Sequence, residues 1–280
     1  MSYPSLLFIP FFALLISCNK MKQSNREGMA YPHTENSNSV FVIPAKQMCL
    51  IPSGSFIPQY GSGKKEIKIH SFLLDKTPVT QNEFLCFVKA FPQWRRSKCK
   101  RIFADENYLH NWISDTVLGK NINPNAPVVN ISWFAATAYA EACQKRLPSM
   151  DEWEFVAKAD QQSADARNKS SYTQSILKWY EDRNAWKQSC GQAPANFFGI
   201  QDMNVLVWEW ISDFNAVLIS GENRSEGKDN GLFCGSGSVG ASDLMNYAAF
   251  MRYAYRGSLK ASYCVQNLGF RCAKNDENEN

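Results

Sequence analysis

Gly199-Ile200-Gln201-Asp202-Met203-Asn204-Val205-Leu206-Val207-Trp208-Glu209-Trp210 sets two carboxylates, Asp202 and Glu209, on either side of a short apolar segment that ends in two tryptophans. Carboxylates that close to Trp208 and Trp210 need partners, because burying an unpaired charge is costly. A hard cation such as calcium would satisfy both, with backbone carbonyls between them completing an oxygen shell. The alternative is a surface loop whose acids are solvated or paired with arginine.

Around this stretch lies a chain of 280 residues with 45% hydrophobic residues, enough for one large core or two small ones. Aromatics are plentiful, with 8 Trp, 18 Phe and 11 Tyr. The formal net charge is +4 and no lysine-arginine stripe stands out, which argues against a nucleic-acid partner. Of the nine cysteines, no two form a CxxC pair, and His33, His70 and His110 are scattered, so no zinc pattern is present.

Residues 6–17 form an apolar run too short to anchor stably across a bilayer, and they read as a secretory signal. The run ends in Leu15-Ile16-Ser17-Cys18, which resembles a bacterial lipobox, although residues 1–5 carry no lysine or arginine. A lipoprotein would then begin at a lipidated Cys18; an ordinary signal peptide with an incidental cysteine is the other reading. The expected organisation is a signal peptide at 1–17, a polar tether at 18–39, a folded domain at 40–274 and an acidic tail at 275–280. The expected location is the bacterial cell envelope, membrane-anchored and facing the periplasm or the exterior, where some cysteines would pair.

Within the domain, Val40-Phe41-Val42-Ile43, Met48-Cys49-Leu50-Ile51 and the run from Ile67 to Leu74 read as strands. Thr80 and Glu83 have capping-box spacing before Phe84, Phe87, Val88 and Phe91, which predicts a helix closed by Pro92. Ser132 opens a second, alanine-rich helix through Gln144, and Ser149 with Glu152 opens a third. A short helix is expected at 108–112, and loops after about Ser163. So long an irregular half needs metal, disulfides or dense aromatic packing to fix it.

Several ordered segments together carry a family resemblance. They are Thr77-Pro78-Val79-Thr80-Gln81-Asn82-Glu83-Phe84, Pro127-Val128-Val129-Asn130-Ile131-Ser132-Trp133, Lys145-Arg146-Leu147-Pro148-Ser149-Met150-Asp151-Glu152-Trp153-Glu154-Phe155, Val207-Trp208-Glu209-Trp210 and Asn267-Leu268-Gly269-Phe270-Arg271-Cys272. On these the chain resembles the sulfatase-modifying-factor family, founded on the formylglycine-generating enzyme. The resemblance implies an α+β fold of the C-type-lectin type, with small antiparallel sheets, two or three helices and much irregular chain. It also implies a calcium site built from the side chains of Asp202 and Glu209 and the backbone carbonyls of Val205 and Val207. The Gly-Asn usual in that loop is replaced here by Val205-Leu206, and valine restricts dihedrals that glycine allows.

The formylglycine-generating enzymes use two close cysteines that hold copper(I) and activate oxygen, a task suited to soft thiolates. The stretch where this resemblance places them, Ala241-Ser242-Asp243-Leu244-Met245-Asn246-Tyr247-Ala248-Ala249-Phe250, contains no cysteine, so copper chemistry by that pair is not supported. A branch using non-haem iron draws its histidines from an extra helical domain that has no counterpart here. Phe233-Cys234-Gly235 and the segment from Tyr247 to Tyr253 look like an accessory branch encoded with respiratory or export systems, including copper nitrite reductase.

The resemblance places Asp243, Tyr247, Arg252, Arg256 and Arg271 near a ligand groove. There the arginines would either clamp an anionic ligand or pair with acids in a loop-rich core. It also implies a disulfide at Cys272, with Cys143 on the second helix as the nearest available partner. Three functions follow as expectations: a non-catalytic, lipid-anchored relative that binds a partner protein or peptide in assembly or maturation; an oxidoreductase with an atypical metal site; or a lectin-like module.

Overall fold

The structure, a computed structural model, describes residues 45–59, 65–215 and 244–277, with side chains in the last segment from Tyr247 onward. The chain divides into a unit of residues 1–39 and a unit of residues 40–280, and every described residue lies in the second. The expected signal, the lipidation site Cys18, the tether, the first strand at 40–43, Cys234 and Asp243 lie outside the described residues.

Apolar, strand-prone sequence forms the first sheet. Strands β1 (Met48–Ile51), β4 (Phe72–Asp75) and β7 (Ala273–Asn275) are antiparallel in the order β1-β4-β7, with Met48 opposite Asp75 and Phe72 opposite Asn275. The two ends of the domain therefore meet on the central strand β4. Asn275, expected in the acidic tail, belongs to this sheet. A hairpin pairs β2 (Gly54–Phe56) with β3 (Ile67–Ile69). Each of the first four strands sends apolar side chains into one cluster, where Ile51, Phe56, Ile69, Phe72 and Leu74 meet Phe155 and Ile200.

Helix α1 (Gln81–Ala90) begins where the sequence places it. Thr80 Oγ1 accepts the Glu83 N–H at 3.2 Å, and the Glu83 carboxylate accepts the Thr80 N–H at 2.7 Å. Helix α2 (Trp133–Ala142) is capped by Ser132, and α3 (Met150–Ala157) by a second capping box between Ser149 and Glu152. The phenylalanine stripe of α1 packs against Tyr139 of α2 and against Phe270. Phe84 stacks on Tyr139 at 5.9 Å, and Tyr139 meets Phe270 edge-on at 5.2 Å.

Between these elements run irregular ties. Val79 N–H donates to Phe270 O and Val128 N–H to Val79 O, each at 2.9 Å. Strands β5 (Trp208–Glu209) and β6 (Leu268–Gly269) form a short parallel pair, the exception to the antiparallel pattern. A Cβ at Gly269 would lie 2.7 Å from Val128 O, so only glycine permits this approach.

The α+β architecture is the one expected, but five α-helices are present among the described residues, where two or three were expected. The additional ones are α4 (Ser170–Glu181) and α5 (Leu244–Ser258), which pack together. Lys169 gives α4 no side-chain cap, so no start signal precedes it. The short helix expected at 108–112 is a run of turns, with Leu109 at φ 47°. Arg96 Nη1 reaches the carbonyls of Leu109, His110 and Trp112 there, holding the segment non-helical.

Thr80→Ala is expected to cost about 1 kcal/mol through loss of the cap. Phe84→Ala is expected to cost about 3–5 kcal/mol through its cavity. Urea unfolding monitored by circular dichroism measures both, and equal costs would show that the aromatic contact is not the principal tie of α1.

Candidate functional site

Glu209, at the far end of the apolar loop from Asp202, is buried, and its partner is Arg271. Each Glu209 oxygen faces two N–H donors. Oε1 accepts from Arg271 Nε at 3.0 Å and Nη2 at 2.8 Å; Oε2 accepts from Arg271 Nε at 2.8 Å and from Trp153 Nε1 at 2.7 Å. The remaining Arg271 donors reach Asp75 O and Lys76 O at 3.2 Å and Gln201 O at 3.0 Å. Burial by itself lowers the pKa of the guanidinium, but the Glu209 carboxylate outweighs burial and raises it. Arg271 is therefore a core residue, not a groove residue, with a side chain 0% exposed.

Asp202 takes backbone partners. Its Oδ2 accepts the Gly191 N–H at 2.6 Å, and its Oδ1 lies 3.4 Å from the Ala193 nitrogen. Burial raises its pKa, and the Gly191 hydrogen bond and Arg271 offset part of that rise. Asp202 and Asn204 occupy the left-handed region, at φ 63° and 54°. These residue types tolerate it, so the loop turns without asking a positive φ of Val205. Val205 is exposed, Val207 buried.

This geometry bears on the expected calcium ion. A carboxylate offers about four lone-pair sites, and those of Glu209 are occupied by N–H donors. A cation shared between Asp202 and Glu209 would compete with Arg271 for the same oxygens, so the donor set does not fit a shared ion in this arrangement. Asn204 Oδ1 is buried without a hydrogen-bond partner and, with Asp202, is the oxygen left for a further donor or ion.

Arg252 and Arg256 lie on α5 and face Glu154 of α3. Arg252 donates to the two Glu154 oxygens at 3.2 and 2.9 Å, and Arg256 to one at 2.6 Å. The Arg256 guanidinium also lies 4.7 Å from the centre of the Trp153 ring. Of the two roles left open for these arginines, the structure gives core pairing with an acid. Burial alone would raise the Glu154 carboxyl, but Arg252 and then Arg256 overcome it and hold the carboxyl down at about 2. Tyr247, nearer the start of the same helix, is exposed.

The seven described cysteines are all free thiols, Cys143 and Cys272 among them, so the disulfide expected between these two is not formed. Cys272 is buried beside Asp75, which accepts its backbone N–H at 3.0 Å. Burial raises the Cys272 thiol well above its ordinary value, and raises Cys143 to about 11. Cys99 rises to about 11 and Cys190 to about 12 by the same cause.

One open groove of about 580 Å3 runs between α4 and the loop after Asp202. Ile176, Trp179, Met203 and Val205 give it apolar surface, and Glu181 and Asp182 give it acids. Beside it, Trp208 stacks on Tyr255 at 4.6 Å and on Tyr180 at 5.0 Å, which fixes α4 and α5 over the tryptophan. The α4 residues escaped the sequence reading. The recurrence of Tyr172, Ile176, Trp179 and Tyr180 at helical spacing is the signal that marks them.

Residues 34–276 match the sulfatase-modifying factor enzyme 1-like domain, and the chain belongs to that family. It is similar to the formylglycine-generating enzyme of Thermomonospora curvata, 27% identical over 287 residues, covering 82% of this chain and 93% of the enzyme. The enzyme of Streptomyces coelicolor is 27% identical over 252 residues, covering 74% and 79%. The serine/threonine-protein kinase pkn1 of Chlamydia pneumoniae is 23% identical over 240 residues, which is 82% of this chain and 38% of the kinase. The chain thus spans well under half the length of that relative. PvdO from Pseudomonas aeruginosa superposes with a TM-score of 0.44 at 16% identity, covering 82% of this chain and 94% of its own.

Glu209→Gln is expected to destabilise the domain by about 3–5 kcal/mol, because it leaves the Arg271 charge buried without its counter-charge. Calcium chelation with EGTA is expected to leave Tm unchanged. A large fall in Tm with EGTA and a small effect of the substitution would reverse the assignment. The Glu154 carboxyl gives a second expectation. Its pKa is held down at about 2 from 4.5, so its contribution to stability is full above the unfolded value and is lost as pH falls through about 2. Acid titration of wild type against Glu154→Gln should show their stability difference shrinking below pH 4.5.

Proposed function

We propose that this chain is a non-catalytic relative of the formylglycine-generating enzymes that binds a partner protein or peptide in assembly or maturation. It acts at the bacterial cell envelope, held by a lipid on Cys18. The observation that carries this reading is the stretch 241–250, which has no cysteine where the enzymes of this family keep their copper-binding pair. Two features support it. Burial keeps Cys49, Cys99, Cys143, Cys190, Cys264 and Cys272 as protonated thiols, poor ligands for copper(I) and poor nucleophiles. Arg252, Arg256 and Arg271 are buried against Glu154 and Glu209 inside the core, so none is presented to a peptide substrate at the surface.

Binding then falls to the groove beside α4. Trp179, Met203 and Val205 suit an apolar side chain of an extended peptide, while Glu181 and Asp182, outnumbering Lys178, favour a basic neighbour on it. An accessory role beside a respiratory enzyme such as a copper nitrite reductase fits a tethered domain of this kind.

The test joins two measurements. Purified protein loaded with copper(I) and given a cysteine-containing sulfatase peptide is expected to consume no oxygen and form no formylglycine; turnover would sink the reading and favour an oxidoreductase with an atypical metal site. Val205→Glu is expected to weaken capture of the cross-linked envelope partner by about tenfold or more. Binding of glycans with no protein partner would favour a lectin-like module instead.

A further inference from the structure

The space between α3, α4 and α5 holds a cavity of about 20 Å3, lined by Glu154, Lys158, Arg167, Tyr172 and Arg252 among others. That volume admits one water-sized body.

Its walls are out of charge balance. Lys158 and Arg252 are more than nine-tenths buried, and Arg256 is buried beside them on Glu154. Against these three cations the described residues set Glu154, whose oxygens already accept from both arginines. Arg167 leaves the imbalance as it is, because Asp165 pairs with it at 2.6 and 2.9 Å. Tyr172 and Tyr180 supply no negative charge, since burial raises both phenols.

The two cations that face the cavity also keep donors in reserve. Lys158 Nζ donates to Ala164 O at 3.0 Å and otherwise rests 4.1 Å over the Phe155 ring, although an ammonium carries three N–H bonds. Of the five guanidinium N–H bonds of Arg252, two go to Glu154. Its Nη1 reaches Ala248 O only at 3.5 Å, at the limit of a hydrogen bond. Burial pulls the pKa of Lys158 down, the behaviour of a cation short of counter-charge.

We propose that this cavity binds one water-sized monovalent anion of the halide class, held by the remaining N–H donors of Lys158 and Arg252. A water molecule would satisfy the donors but leave the excess charge untouched. A sulfate or phosphate is too large for the volume. The halide meets both needs, and by joining α5 to the end of α3 it stabilises the helical layer that flanks the groove.

The probe is chloride itself, with bromide as its anomalous scatterer. At fixed ionic strength, exchanging gluconate for chloride should raise Tm of the full chain saturably, by about 3 °C. Crystals grown in bromide should show an anomalous peak between Lys158 and Arg252. Lys158→Met removes the charge while keeping the stem over Phe155, and it should abolish the halide response. The proposal is overturned by equal Tm in chloride and gluconate, or by a halide response that survives Lys158→Met. Should that variant fail to fold, the bromide map of the wild type decides: a peak supports the site, and density for water without anomalous signal refutes it.

Discussion

The pairing of Arg271 with Glu209 is the tie on which the irregular half of the domain depends. Arg271 follows β6, Glu209 ends β5, and the remaining donors of the guanidinium hold the carbonyls of Asp75, Lys76 and Gln201. One side chain thus joins the end of the central strand β4 to the apolar loop and to the short parallel pair. Taking both charges out of water is costly, and the pair is tolerable only because the lone pairs and donors are met. The pair specifies position as much as it adds stability, since its hydrogen bonds form only when all of these segments are in place.

The same device recurs. Asp75 takes Lys145 at 2.5 Å and the backbone of Cys272, and Glu154 takes two arginines. Each joins segments far apart in the chain. A domain with short strands and long loops has few ladder hydrogen bonds to order it, so buried ion pairs and stacked aromatics take that part. The functional consequence is direct. Arginines that could have met a ligand are committed to the core, and on the reading proposed above recognition moves to the outer surface of α4.

Much of the local structure was legible. The capping boxes at Thr80 and Ser149 announced α1 and α3, because each cap needs only residues three apart. The phenylalanine stripe of α1 and the strand character of β1 and β4 could likewise be read from period alone. Helix α5 could not, because its buried face carries Arg252 and Arg256, and charged residues in a buried stripe break the apolar pattern. Helix α4 lacks a side-chain cap at Lys169, so nothing marked its start, although Tyr172, Ile176, Trp179 and Tyr180 recur on one face. At Asp202 and Glu209 the need for partners was legible, and the partners were not.

The sequence by itself determined the family, the helices that carry their own caps, and the absence of cysteine from residues 241–250. Only the tertiary structure decided that an arginine answers Glu209, that Arg252 and Arg256 answer Glu154, and that Cys143 and Cys272 stay unbonded. The physical reason is range. Caps and periodicity act between residues three or four apart, whereas the pairs that settle the charges span 62 positions for Arg271 and Glu209 and 98 for Arg252 and Glu154. Contacts at such separation are chosen by packing, which no local pattern encodes.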